Sequence, residues 1–304
     1  MILTIPLQDA GVAYGANSAL RELGGVFGVA RLAAVFAHHG VYGSPHAFVD
    51  RFQPALLAGA AVTPVGLVAA PVSESPIAVL YDIHGNLPAL EAVLAEAERV
   101  EATSYLLGGD YAAFGPWPRE TVERLEGLPA IARIRGNVER WLREEPEVPA
   151  DARQLVTTAL TAARESLGPA LVERLYRLPE RAELGGILIC HGSPRSDIES
   201  FAPEAQPDEE RMLVGEARRT ILFGHSHQQF RRPGPNGTLL MNPGSVGAPL
   251  DGDPRAAWAL LEDGEIHFWR TAYDVERAAA QMRSYGEWAE PIAHRIQQGS
   301  DPGS

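Results

Sequence analysis

The 304-residue sequence predicts an α/β fold, and three observations carry that prediction. Short apolar or β-branched runs recur at 77–81 (IAVLY), 104–107 (SYLL), 131–134 (IARI), 186–190 (GILIC) and 220–223 (TILF), as buried strands do. Helical patterns at 87–100 (LPALEAVLAEAERV) and 118–126 (PRETVERLE) separate the first three runs, each with Pro near its start and charges on one face. Each run leads directly into a loop bearing polar side chains, and loops beyond strand C-termini are where α/β proteins assemble sites.

The later elements follow from the same patterns. Charged stretches at 151–167 and 169–177 predict a helical insert over about 139–180, placed beside the rim as a cap. The run 238–241 (TLLM) enters NPGSVG at 242–247, whose glycines permit a sharp turn and read as scaffold. Residues 256–261 (AAWALL) and 265–270 (EIHFWR), separated by Glu262-Asp263-Gly264, predict a hairpin that completes a sheet, with His267 a strand histidine. The stretch 274–298 reads as one helix with Tyr285 and Trp288 against the body, and 299–304 as a frayed tail.

Seven side chains able to hold metal stand at the strand ends: Asp82 and His84 in YDIHGN, Asp110 in LLGGD, Asn137 in IRGN, His191 in LICHG, and His225 and His227 in LFGHSH. Taken singly, an Asp-x-His is a turn or cap and Asn137 after Gly136 a turn residue. Together, five strand ends supply a carboxylate able to bridge and several N and O donors. Phosphate-ester hydrolysis by two divalent ions requires that set. Carboxylate with imidazole suits manganese, which we rank first, and also iron, nickel, zinc or cobalt, while the lack of clustered thiols excludes a cysteine-rich structural zinc site.

The series DIHGN, GGD, GN, HG and GHSH followed by NPGSVG resembles the calcineurin-like metallophosphoesterases, in particular their small bacterial phosphodiesterase branch, over roughly 77–270. The resemblance implies a β-sandwich flanked by helices, a four-layer αββα arrangement, in a domain spanning 77–298. It implies hydrolysis by a metal-bridging hydroxide, with Asp82, His84 and His227 on one ion, Asn137, His191 and His225 on the other, and Asp110 bridging. Many members carry a His after the Gly-Asn as proton donor; here Val138 stands there, and valine moves no proton. General acid catalysis contributes about 10²–10⁴ in rate, so another donor or an easily departing leaving group is expected. Phosphodiesters come first among the substrates, a phosphomonoester or phosphoprotein second.

Other residues near the motifs carry two readings each. Asn86 caps the helix beginning near Pro88 or reaches the substrate phosphate. Arg135 and Arg195 bind phosphate in forked geometry or form salt bridges. Tyr111, Phe114 and Trp117 pack the loop or stack on a base, packing being the commoner use, and Cys190 reads as a buried, inert thiol.

Residues 1–76 differ from the rest in composition. They carry seven charged side chains (Asp9, Arg21, Glu22, Arg31, Asp50, Arg51 and Glu74), and none falls between Phe52 and Ser73. The stretches NSALRELGGVFGVARLAAVF and AFVDRFQPALLAGAAVTPVGLVAA resemble the last two membrane helices of major facilitator superfamily drug-efflux transporters. Gly24 and Gly28 have small-xxx-small spacing, whereas Arg31, Pro54 and Pro64 depart from the pattern. Two helices form no transport path. The expectation is a hydrophobic helical appendage that is a remnant or gene-boundary artefact, or else an anchor to the inner face of a membrane. A basic start and small-residue cleavage site are absent, so it does not read as a signal peptide.

Global composition fits a cytoplasmic enzyme acting on a phosphate-ester small molecule or nucleotide. The net charge of −13 disfavours a non-specific nucleic-acid grip, one cysteine excludes an intrachain disulfide framework, and the basic residues are all arginine. The competing reading is a metal-binding interaction scaffold of the same fold, against which the intact ligand set speaks. Oligomeric state is not legible.

Overall fold

The computed structural model describes residues 75–302. Two five-stranded mixed sheets form the body. The first contains β1 (Ile77–Leu80), β2 (Ser104–Leu107), β3 (Ala130–Arg133), β9 (Ala256–Glu262) and β10 (Glu265–Thr271), in the order β10-β9-β1-β2-β3. The second contains β4 (Arg181–Leu184), β5 (Ile187–Cys190), β6 (Thr220–Leu222), β7 (Gln229–Pro233) and β8 (Leu239–Pro243), in the order β4-β5-β6-β8-β7. In each sheet three neighbouring strands run parallel, β1-β2-β3 and β5-β6-β8, and the remaining pairings are antiparallel.

The central strands read as unbroken apolar runs because both their faces are covered. Along β1, Ile77 and Val79 enter a layer shared with Leu106, Ile134, Ile189 and Leu222 between the sheets, whereas Ala78 and Leu80 face the helices. Tyr81 sits in the inter-sheet layer, and its hydroxyl donates to the Leu222 carbonyl at 3.1 Å, joining one sheet to the other. The outer face of the second sheet is covered more thinly. Phe201, Leu213 and Met212 of the single-turn helix Glu209–Met212 cover it, packed on Cys190, Ile221 and Phe223.

Helices α1 (Leu87–Arg99), α2 (Pro118–Glu126), α3 (Asn137–Trp141) and α4 (Arg153–Tyr176) follow the first three strands. Asn86 caps α1 by accepting the Ala89 N–H, and Pro118 opens α2. The insert is helical, and α4 is interrupted at Gly168 (φ 71°) ahead of Pro169, at the boundary expected from sequence. The single-turn helix Glu209–Met212 becomes α5 in chain order.

The C-terminal stretch corrects the single helix expected over 274–298. It forms α6 (Val275–Arg283), a turn at Gly286 (φ 113°), a short 3₁₀ segment and α7 (Glu290–Gln298). Glycine in a left-handed position and Pro291 in the first turn of α7 account for the break. Beyond α7 the chain is tied down as far as it is described: the Gly252 N–H donates to the Gly299 carbonyl, and Arg295 pairs with Asp301.

Residues 1–74 of the segment 1–76, which hold both stretches compared with transporter helices and the anchor reading, lie outside the described residues. Among the described residues no helix is long and apolar enough to cross a membrane.

Tyr81→Phe removes the hydroxyl that joins the sheets and leaves a buried carbonyl short of one donor. A loss of about 1 kcal/mol is expected, or a Tm lowered by about 2–4 °C. Unchanged thermal unfolding would show that the bond does not hold the sandwich together.

Candidate metal centre

The parallel strands deliver their C-terminal ends to one rim. Asp82 and His84 follow β1, Asp110 follows β2, Asn137 opens α3 after β3, His191 follows β5, and His225 and His227 follow β6. Five of these seven adopt left-handed backbone conformations: Asp82, His84, Asp110, His225 and His227, with φ between 49° and 64°. Each costs about 1 kcal/mol even in residue types that tolerate the region best. The loops hold one another there. The Asp82 and His84 N–H groups donate to the Gly109 and Asp110 carbonyls, the Gly247 N–H and the Ser245 hydroxyl donate to the Asp82 carbonyl, and the Asp82 carboxylate accepts the His225 N–H at 3.0 Å. Two glycines admit this crowding, since a Cβ at Gly136 would lie 2.1 Å from Asp110 Oδ1 and one at Gly224 2.5 Å from Asp82 Oδ2.

The side chains gather into two trios, Asp82–His84–His227 and Asp110–His191–His225, each offering one donor atom per residue within 4.8 Å of the others. Asn137 joins the second, its Oδ1 2.9 Å from His225 Nδ1. Three imidazoles face backbone carbonyls through Nδ1: His84 to Ala113, His227 to Ala248 and His191 to Gly108. A carbonyl only accepts, so each Nδ1 carries the hydrogen, and a neutral ring presents a bare Nε2 lone pair to the cluster. His84 Nε2 and His227 Nε2 then confront each other at 3.1 Å with no hydrogen between them. His191 Nε2 is buried without a hydrogen-bond partner, its nearest carboxylate oxygen being Asp110 Oδ1 at 3.3 Å. Two donors each about 2.1 Å from a shared ion lie roughly 3.0–3.4 Å apart. The donor set therefore fits divalent cations.

The electrostatics are those of closely packed, desolvated donors. Burial pushes Asp82 up to about 8, with His191 pulling it back and Asp110 raising it further. Burial also works to raise Asp110, but His191 and then His84 and His225 hold it below the usual carboxylate range. His191 is lowered by burial yet lifted to about 10 by the Asp110 and Asp82 charges. Burial drives His84 and His227 down, and it takes His225 down to about 4 with help from His191.

Glu139 holds this arrangement from behind and was not singled out in the sequence. Fully buried, it accepts the N–H groups of Asp110 and Gly136 on Oε2 and of Tyr111 on Oε1, each at 2.8 Å. Its position three residues after Gly136 is that of a capping-box glutamate, a signal that could have been read.

The remaining candidates separate. Asn86 is fully buried, with its Nδ2 donating to the Gly247 carbonyl and the Tyr273 hydroxyl while Oδ1 caps α1. Arg135 donates to the Tyr176 carbonyl and Glu180 and lies over the Tyr176 ring. Arg195 lines a second, polar cavity with Ser193 and Asp197 that reaches the other side of His191. Tyr111 is buried in the core, Trp117 packs toward the C-terminal helices, and Phe114 meets His84 edge-on while lining the cavity onto which His84, Asp110, His225 and His227 open. Cys190 is buried, and burial raises its pKa above that of a free thiol.

Comparison with known proteins places this geometry in context. The family model for the calcineurin-like phosphoesterase superfamily domain matches residues 76–264. An uncharacterized protein of Methanocaldococcus jannaschii is 26% identical over 232 residues, which span 67% of this chain and 90% of that one. The crystal structure of a metallophosphoesterase from Sphaerobacter thermophilus aligns with a TM-score of 0.60 at 29% identity, covering 74% of this chain and 99% of that one. A hypothetical protein of Pyrococcus horikoshii shares the fold, with a TM-score of 0.63 at 22% identity over 75% of this chain and 99% of its own.

Glu139→Gln replaces an acceptor of three N–H groups by an amide that presents two hydrogens toward them. A weakening of Mn²⁺ binding by about tenfold to a hundredfold is expected in calorimetric titration. An unchanged Kd would deny Glu139 its positioning role.

Proposed function

We propose, on the premise that the chain belongs to the calcineurin-like phosphoesterase superfamily and is a metal-dependent phosphoric ester hydrolase, that it is a two-metal phosphodiesterase. Asp82, His84 and His227 would hold one divalent ion, Asn137, His191 and His225 the other, with Asp110 shared. The observation that carries this reading is that Asp110, a member of the second trio, also approaches a histidine of the first. Its Oδ2 lies 3.7 Å from His84 Nε2, and its Oδ1 lies 3.3 Å from His191 Nε2. The N and O donors favour manganese, with iron, nickel, zinc or cobalt admissible.

When bound, such a pair of cations stabilises the charge that builds on the phosphoryl oxygens and makes water nucleophilic at neutral pH. The chain's own contribution is placement. The carbonyl-anchored Nδ1 atoms keep each Nε2 aimed at the cluster, Glu139 and the Val138 N–H (3.0 Å to Asp110 Oδ1) fix the shared carboxylate, and burial excludes bulk water.

Proton supply to the leaving group is the missing piece. Val138 lines the cavity where a donor would be useful and has no proton to give, while the Nδ1 hydrogens of His84, His191 and His227 are committed to carbonyls. Esters whose leaving groups depart as stable anions are therefore favoured, and this supports a small diester with an acidic alcohol over an alkyl monoester.

In the Mn²⁺-loaded full chain, bis-(p-nitrophenyl) phosphate should turn over faster than alkyl phosphomonoesters, and Asp110→Ala should lower that rate by about 10³ or more, roughly 4 kcal/mol of transition-state stabilisation. The reverse ranking would remove the diesterase assignment. Wild-type rates in Asp110→Ala would remove the shared-ligand assignment.

A further inference from the structure

The trios open on a cavity of about 270 Å³ whose remaining wall is apolar. Phe114, Val138 and Trp141 come from the strand-end loop and α3, Leu155 and Val156 from α4, and Ile292 from α7. Among the described residues, Arg295 is the one arginine lining it. Arg295 lies one helical turn from Ile292, so the two share a face of α7, and its side chain is about a third exposed. Its Nε donates to Asp301 at 2.9 Å and its Nη2 to the same carboxylate oxygen, which orients the guanidinium while leaving Nη1 without a bond among the described residues. Arg295 also lies beyond residue 264, where the family match ends.

We infer that this cavity is a substrate subsite in which the apolar wall accepts one compact, ring-sized ester group and Arg295 anchors a non-bridging phosphate oxygen. The inference rests on the phosphoesterase reading and adds the chemical class of the substrate to it. The volume lies just under the range of about 300–1,000 Å³ usual for ligand pockets, which suits a single ring and is too small for both halves of a dinucleotide. A guanidinium is a planar donor matched to phosphate oxygens, and part burial strengthens its attraction relative to open solvent. The apolar wall gives no hydrogen-bonding partner to a polar ester group and rewards the burial of a ring. The cavity therefore separates the two ends of its ligand, with phosphate at the trios and Arg295 and the ring against α3, α4 and α7.

The test uses the Mn²⁺-loaded full chain with phenylphosphonate and methylphosphonate as non-hydrolysable probes, followed by calorimetry, and bis-(p-nitrophenyl) phosphate as substrate. Wild type should bind phenylphosphonate at least about tenfold more tightly than methylphosphonate. Arg295→Ala should weaken phenylphosphonate binding and raise KM by about tenfold to a hundredfold, the worth of one charge-assisted hydrogen bond. Its kcat should stay within about threefold and its Mn²⁺ content at the wild-type level, and Arg295→Lys should recover part of the loss. Should Arg295→Ala fail to fold, Arg295→Lys and Arg295→Gln carry the same comparison. Unchanged Kd and KM, or loss of Mn²⁺ together with kcat, would overturn the anchor; equal affinity for the two phosphonates would overturn the apolar subsite. A wild-type protein that hydrolyses no phosphate ester defeats the proposed function itself, whereas an active wild type matched by Arg295→Ala defeats this inference alone.

Discussion

Two carboxylates and four imidazoles share one buried rim, and much of the structure follows from keeping them there. The Nε2 atoms of His84 and His227 face each other at 3.1 Å and face carboxylate oxygens at 3.5–3.7 Å. Desolvated donors so close together repel unless a positive charge joins them. The protein withstands this crowding through bonds to the backbone, with carbonyls on three Nδ1 atoms, N–H groups on Asp82 and Asp110, and Glu139 beneath both loops. Five left-handed residues are the conformational cost of the same arrangement. Such strain persists where the surroundings over-determine it, and it clusters at functional sites.

The sandwich makes that over-determination possible. Parallel strands in both sheets end at the same edge, so side chains far apart in the chain become neighbours. The inter-sheet layer of Ile77, Val79, Leu106, Ile189 and Leu222 fixes the distance between the two sheets' contributions to the rim, and Tyr81, one residue before Asp82, bonds across it. Packing between the sheets is therefore also a statement about metal geometry. The turn after β8 belongs to the same construction, since Ser245, Gly247 and Ala248 bond to Asp82, Asn86 and His227.

The proposed ester subsite draws on different elements from the candidate metal donors. The donors lie on loops after strands of the matched family domain, whereas the apolar wall and Arg295 come largely from α3, α4 and α7. Helices attached beside a fixed centre can alter the ester group accepted without disturbing the ligands. Val138 sits at the meeting point of the two, its N–H bonded to Asp110 and its side chain in the cavity wall.

Much of this was legible in the sequence because it depends on local pattern. Apolar runs announced the central strands, Asn86 and Pro118 the helix starts, and Gly168-Pro169 the interruption in the insert. The edge strands β4 (RAEL) and β7 (QFRRP) escaped because their exposed faces carry arginine and glutamate, so they lack the apolar run by which buried strands are recognised. The stretch 274–298 has helical periodicity on both sides of Gly286 and Pro291, so the break there does not show in the pattern alone. The sequence by itself determined the seven donors, their order along the chain and the absence of a proton donor at Val138. Tertiary structure alone decided which donors meet, as with His84 and His227 at a separation of 143 residues, which nitrogen each imidazole turns to the cluster, and that Glu139 lies bonded beneath it while Arg295 lines the adjoining cavity. The physical reason is that hydrogen-bond partners, burial and cavity walls come from residues distant in the chain, which no local pattern encodes.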